Sequence, residues 1–143
     1  MNTKEEFYRI LAEQTEMALA TSVDNIPDAR IVNFYFDPAD NILYFATFKG
    51  NNKVQEITAN AHVAFTTIPH DGNAHVKAQG IARPSKKSID EIADEFVAKI
   101  PAYANTLRAA DGNLLLYEIS FDTATVTKDL SNIDTYTIKP AVV

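Results

Sequence analysis

MALATSVDNIPDARIVNFYFDPADNILYFATF (17–48) decides the fold. Three runs in it, MALATSV (17–23), ARIVNFYF (29–36) and ILYFATF (42–48), are apolar and rich in β-branched or aromatic residues. DNIPD (24–28) and DPADN (37–41), between them, have the composition of turns. Short β-formers punctuated in this way predict three antiparallel strands in a meander.

Outward from this block the pattern alternates between strand and helix. Before it, Thr3 and Glu6 stand at capping-box spacing and Phe7, Ile10 and Leu11 form an i, i+3, i+4 stripe, which predicts an N-terminal helix. After it, KGNNKVQEITANAHV (49–63) breaks the β pattern. Gly50 offers a bend, Asn51 or Asn52 a cap, and Val54, Ile57 and Ala61 share one face, so a short helix is expected from about Lys53 to Asn60. HVAFTTI (62–68) and AHVKAQGIARP (74–84) read as a strand pair around the loop PHDGN, with Gly80 marking a bulge or a close backbone approach. Ser88 and Glu91 open a clear amphipathic helix through Ile89, Ile92, Ala93, Phe96, Val97 and Ile100, which Pro101 limits. A helical turn is expected over Tyr103–Arg108, then strands at LLLYEISF (114–121), ATVTK (124–128) and TYTI (135–138).

No linker, repeat or low-complexity tract divides residues 1–143, so one domain is expected. About six antiparallel strands avoid exposed edges by closing into a small barrel with peripheral helices. Leu19 with Val23, Val63 with Phe65, and Tyr117 with Ile119 and Phe121 are alternating sets suited to its interior. The chain has 13 Lys and Arg against 19 Asp and Glu, a net charge of −6, and this acidity argues against nucleic-acid binding. The absence of cysteine excludes disulfides, thiolate catalysis and Cys-based metal sites. A charged N-terminus and the lack of any apolar run near the roughly 20 residues of a spanning helix lead to the expectation of a cytoplasmic protein without membrane attachment.

Arg30 interrupts an apolar strand, and either reaches water over a packed stem or clamps a phosphate or carboxylate. Lys53, if Asn52 caps the helix, lies in the first turn, where the helix dipole disfavours a cation. It is either a solvated lysine or half of an anion site made with the free helix N–H groups, with Thr47, Asn51 and Asn52 as further donors. His62, His70 and His75 match no metal spacing, so no metal is expected; haem stays open, because a single axial histidine needs no motif. His75 shares a strand face with Lys77 and Gln79, facing either solvent or a ligand. No nucleophile elbow, Walker loop or G-x-G-x-x-G occurs, so any enzymatic chemistry would rest on a cofactor. No catalytic side chain is assigned.

The run from Ala18 to Thr67, followed by HVKAQGIARP (75–84), resembles the pyridoxamine 5′-phosphate oxidase-like, FMN-binding split β-barrel family. The resemblance rests on the order of motifs: an R-x-V strand, an aromatic strand ending in Thr, a Lys opening a helix, N-x-x-V into a strand, then V-x-x-x-G-x-A. It implies a six-stranded antiparallel Greek-key split β-barrel and a homodimer with FMN, or its larger relative FAD, at the interface. It also implies an oxidoreductase activity on a small molecule. By residue match, Arg30, Ile31, Val32 and Asn33 pass the cofactor with Arg30 toward its phosphate, Ala46 and Thr47 edge it, Lys53 binds the phosphate, and His75 contacts the flavin. Asn51 and Asn52 stand before Lys53 where oxidases of the family carry an Arg, and KDLSNIDTYTIKPAVV (128–143) contains no Arg or Trp. These departures point away from vitamin B6 oxidation. The alternatives are a haem- or deazaflavin-binding member of the fold, or a non-enzymatic flavin or nucleotide sensor.

Overall fold

The computed structural model describes residues 1–138. Among them are four helices and nine strands, in the order α1 (Thr3–Glu13), β1 (Glu16–Val23), β2 (Ile26–Asn33), β3 (Tyr35–Asp37), β4 (Ile42–Phe48), α2 (Asn52–Ala59), β5 (His62–Thr67), β6 (His75–Pro84), α3 (Ile89–Lys99), α4 (Tyr103–Ala110), β7 (Leu114–Ser120), β8 (Thr123–Asp129) and β9 (Asn132–Thr137). The meander is present, but its first turn is tighter than its composition implied. Asp24 and Asn25, both at positive φ, turn the chain alone, and β2 starts at Ile26 rather than Ala29. Asp and Asn tolerate that left-handed conformation, and Pro27 is admissible because β2 is an edge strand.

The fold is mainly antiparallel β with helices, but it has nine strands where six were expected. The hydrogen-bonded order is β2-β1-β5-β6-β7-β4-β3, and β8 pairs with β6 and β9. Two causes account for the number. The second strand of the meander breaks at Phe34 into β2, which pairs with β1, and β3, which pairs with β4. The β8–β9 hairpin is added outside the ring. The ladder therefore does not close: β2 and β3 stand at its two ends, joined through Phe34 alone.

Strand β6 holds the sheet together by changing partner. Its start pairs with β8 and its end with β7, while β5 lies along its other edge. Gly80 sits at the change-over, and a Cβ there would lie 2.5 Å from the Ser120 carbonyl oxygen. The close-approach reading of this glycine is the one the structure adopts.

The interior is filled by Leu19, Phe45, Val63, Phe65, Tyr117 and Ile119, with Phe7, Ile10 and Leu11 of α1 packed against it. Val23, expected inside, is only half-buried. A second cluster of Tyr44, Ile92, Phe96, Tyr103 and Leu116 lies where α3 and α4 cover the other face of β4 and β7. Both faces of β4 are thus buried, which explains its nearly continuous apolar run. At the helix starts, Glu91 accepts from the Ser88 N–H at 2.6 Å, whereas Asn2, not Thr3, caps α1. Thr3 donates to Asp134 of β9 instead. The turn expected at Tyr103–Arg108 is a helix continuing to Ala110.

Candidate functional site: a cleft between two strand edges

Where β2 leaves the ring, two strand edges lie open. β2 pairs only with β1, and β3 covers β4 only from Ile42 to Tyr44, so Ala46 and Thr47 pair with β7 alone among the described residues. β2 and β4 approach one another here. Unpaired backbone N–H and C=O groups therefore border a cleft and offer an alternating row of donors and acceptors.

Alternation along each strand sets which side chains enter it. Arg30 stands opposite Leu19 and Thr47 opposite Leu115, both on the inward side, while Ile31 and Ala46 project the other way. The loop after β4 turns at Gly50, and Asn51 caps α2 by accepting from the Lys53 N–H at 2.9 Å. Asn51 is thus the cap and Asn52 the first helical residue. This places Lys53 in the first turn, its side chain folded down toward Thr47.

Lys53 is only 7% exposed, and its Nζ donates to the Thr47 hydroxyl at 3.3 Å. That is its one side-chain partner among the described residues, although an ammonium has three donors. Burial lowers its pKa below the ordinary lysine range, the Arg30 charge lowers it further, and Glu56 pulls it partly back. An ammonium so placed accommodates an anion.

Arg30 is in the opposite condition. Its Nη1 donates to the Leu19 carbonyl at 3.2 Å and the Thr21 hydroxyl at 2.9 Å, and its Nη2 to Asp28 at 3.0 Å and Glu56 at 2.8 Å. Glu56 also accepts from Thr21; this bond, with Arg30, holds its carboxyl below the usual carboxylate range. Neither Glu56 nor Thr21 stood out in the sequence. The available signal was the i, i+3 spacing of Lys53 and Glu56, which puts both on one helical face.

The chain matches a family model described as pyridoxamine 5′-phosphate oxidase-like over residues 10–133. It belongs to that family. Among solved structures, General Stress Protein 26 from Bacillus anthracis str. Sterne superposes with a TM-score of 0.75 at 20% identity, covering 96% of this chain and 100% of that one. A FAD-binding protein from Mesorhizobium loti superposes at 0.67 and 15% identity, over 87% and 92% of the two chains. A heme binding protein from Mycobacterium smegmatis superposes at 0.76 and 16% identity; 96% of this chain is covered but only 58% of that one. At these identities the likeness is one of fold. No curated protein matches the chain by sequence.

In this pyridoxamine 5′-phosphate oxidase-like chain, Arg30, Thr47, Asn51, Asn52 and Lys53 gather at one corner of the cleft. Val32 lies further along β2 with its half-buried side chain packed against the core, and Ile31, Asn33 and Ala46 bring backbone to the edges. His75 is elsewhere. It shares the outward face of β6 with Lys77 and Gln79, and its Nδ1 is 2.6 Å from the Asn73 carbonyl oxygen. Ladder register puts it three strands across and three residues along from Arg30, about 14 Å and about 10 Å at ordinary sheet spacings. The described residues contain no cluster suited to a metal ion, and none of their helices is long and apolar enough to cross a membrane.

Proposed function

We propose that this cleft binds FMN and that the protein is an FMN-dependent oxidoreductase acting on a small molecule. The observation that carries this reading is the buried, under-partnered ammonium of Lys53 above Thr47, at a helix start whose N–H groups also favour an anion. The donor set fits a flavin phosphate: Lys53 and the Thr47 hydroxyl lie together at the helix start that Asn51 caps, with the Arg30 charge beside them. The open edges of β2 and β4 match the alternating donors and acceptors on a flavin ring. Bound FMN would supply hydride and electron transfer. The chain's own part is to anchor the phosphate, hold the ring between the strand edges and keep water from one of its faces. No side chain in the cleft is placed as a general acid or base.

The binding unit of this reading is a homodimer. The six aromatics of the meander do not supply its surface, for Phe34, Phe36, Tyr44 and Phe45 are consumed in the chain's own cores and Tyr35 packs on Phe96. Of the six, Phe48 alone is largely exposed. The support comes instead from the outward sheet face, where Ile31 is 63% exposed and Ile81 is also open. Beside them, Ala18, Ala20 and Ala64 line a shallow groove of about 710 Å³. His75 of a second copy would be free to approach the cofactor across such an interface.

The test is the absorbance spectrum and mass of whatever copurifies, with light scattering for the dimer. A flavin band, a mass of FMN rather than FAD, and reduction by NAD(P)H support the reading. Flavin that is bound but never turned over makes the protein a sensor. A second reading, haem, is favoured by the His75 ring, whose Nε2 is left over for a metal once Nδ1 is tied to Asn73. It requires a Soret band that His75→Ala abolishes.

A further inference from the structure

The two cations of the cleft differ in what they have left to give. Lys53 has spare donors, whereas both terminal nitrogens of Arg30 are committed: two bonds to the β1 backbone and Thr21, two to carboxylates. A guanidinium grips phosphate by presenting two parallel N–H groups. Arg30 has no such pair free while the two carboxylates stay. Asp28 is the weaker occupant, being 63% exposed at its side chain, where water screens the pair. Glu56 is better placed: its carboxylate bridges Arg30 and Thr21, and its charge also reaches Lys53. With Arg30, Lys53, Asp28 and Glu56 all ionised, the corner carries no net charge to attract a dianion.

We infer that Glu56 is a built-in anion that occupies the Arg30 guanidinium and competes with the ligand's phosphate for it. The inference rests on the FMN reading above and adds a residue that sets the strength and charge preference of the same site. Glu56 selects for ligands that can displace it, so an added phosphate is worth less here than at an open Arg–Lys pair. Helix α2 carries both Lys53 and Glu56, so an anion drawn in by the lysine arrives beside the carboxylate it must replace.

The test compares FMN with riboflavin, which differ only in the phosphate, by fluorescence titration of the purified protein stripped of any bound ligand. Glu56→Gln keeps the size and an acceptor for Thr21 and Arg30 while removing the charge. It is expected to tighten FMN at least tenfold and leave riboflavin unchanged. Asp28→Asn is expected to tighten FMN less than threefold. Equal or weaker FMN binding by Glu56→Gln, beside wild-type protein that binds FMN, overturns the competition and leaves the FMN reading intact. A parallel gain for riboflavin also overturns it, since the effect then bypasses the phosphate. If neither protein binds FMN, both the inference and the function it rests on fall. Circular dichroism of the variant separates any loss of fold from these outcomes.

Discussion

Two lysines of this chain are drawn out of water, and they serve opposite ends. Lys99, at the end of α3, donates to the carbonyl oxygens of Leu11 and Phe34, both at 3.1 Å, and its Nζ lies 3.7 Å from the centre of the Phe34 ring. It ties the last turn of α1 to the break between β2 and β3. Lys53 has a single hydroxyl among the described residues. Both are held below the ordinary lysine pKa by burial, Lys99 down to about 7. The difference lies in their partners. An ammonium met by carbonyls and an aromatic face is part of the fold, whereas one left with spare donors beside an open strand edge has hydrogen bonds to offer a ligand.

Removing each ammonium while keeping its stem should pull the two apart. The largest effect expected is on ligand binding: Lys53→Met should weaken FMN about a hundredfold, as befits a lost charge-assisted bond of roughly 1.5–3 kcal/mol. An unchanged dissociation constant would erase the distinction. Next, in urea at about pH 10, where the folded Lys99 side chain is neutral and still donates, Lys99→Met should lower unfolding stability by about 2 kcal/mol, because two carbonyls at a helix end and a chain break lose their donor. Its FMN affinity should not move.

The third contrast is in pH. Lys99 sheds its proton in the folded chain near pH 7 and in the unfolded chain only near 10.5. The unfolded state therefore binds more protons across that window, and stability should rise with pH from about 7 to 10.5, with no contribution from this group's titration below or above. Titration of unfolding against pH should show this rise in the wild type and a shallower one in Lys99→Met. Smallest of all, Lys53→Met should change stability by less than about 0.5 kcal/mol, since its ammonium has so little to lose. A large destabilisation would make it a fold residue after all.

Much of this was legible in the sequence, for physical reasons. Period-2 apolar runs bounded by turn residues located the strands, and ILYFATF matched β4 residue for residue. The Ser88/Glu91 start of α3 was equally plain, because local hydrogen bonding defines it. What was hidden depends on distant partners. Nothing in ARIVNFYF shows that Phe34 breaks the strand, since the break is made by β1 holding one half and β4 the other. Thr3 looked like a cap because its residue type fits, yet Asn2 fits as well and Asp134 claims the threonine. At the cleft, Arg30 and Lys53 were visible as cations in unexpected places. Glu56 was not, because a glutamate on a short helix is unremarked until the fold brings Thr21 and Arg30 against it. Lys99 was invisible for the same reason: its carbonyl partners lie 88 and 65 residues away.

The ring's missing seam bears on how the protein behaves in a cell. Bare edges of β2 and β4 are templates onto which a stray strand can add; Pro27, Asp28 and Arg30 blunt the first of them, and the stretch of β4 at Ala46 and Thr47 carries no such residue. A flat ligand lodged between them would act as a stopper as well as a reagent. Chains made when that molecule is scarce would then be prone to clump, and their solubility would track its supply.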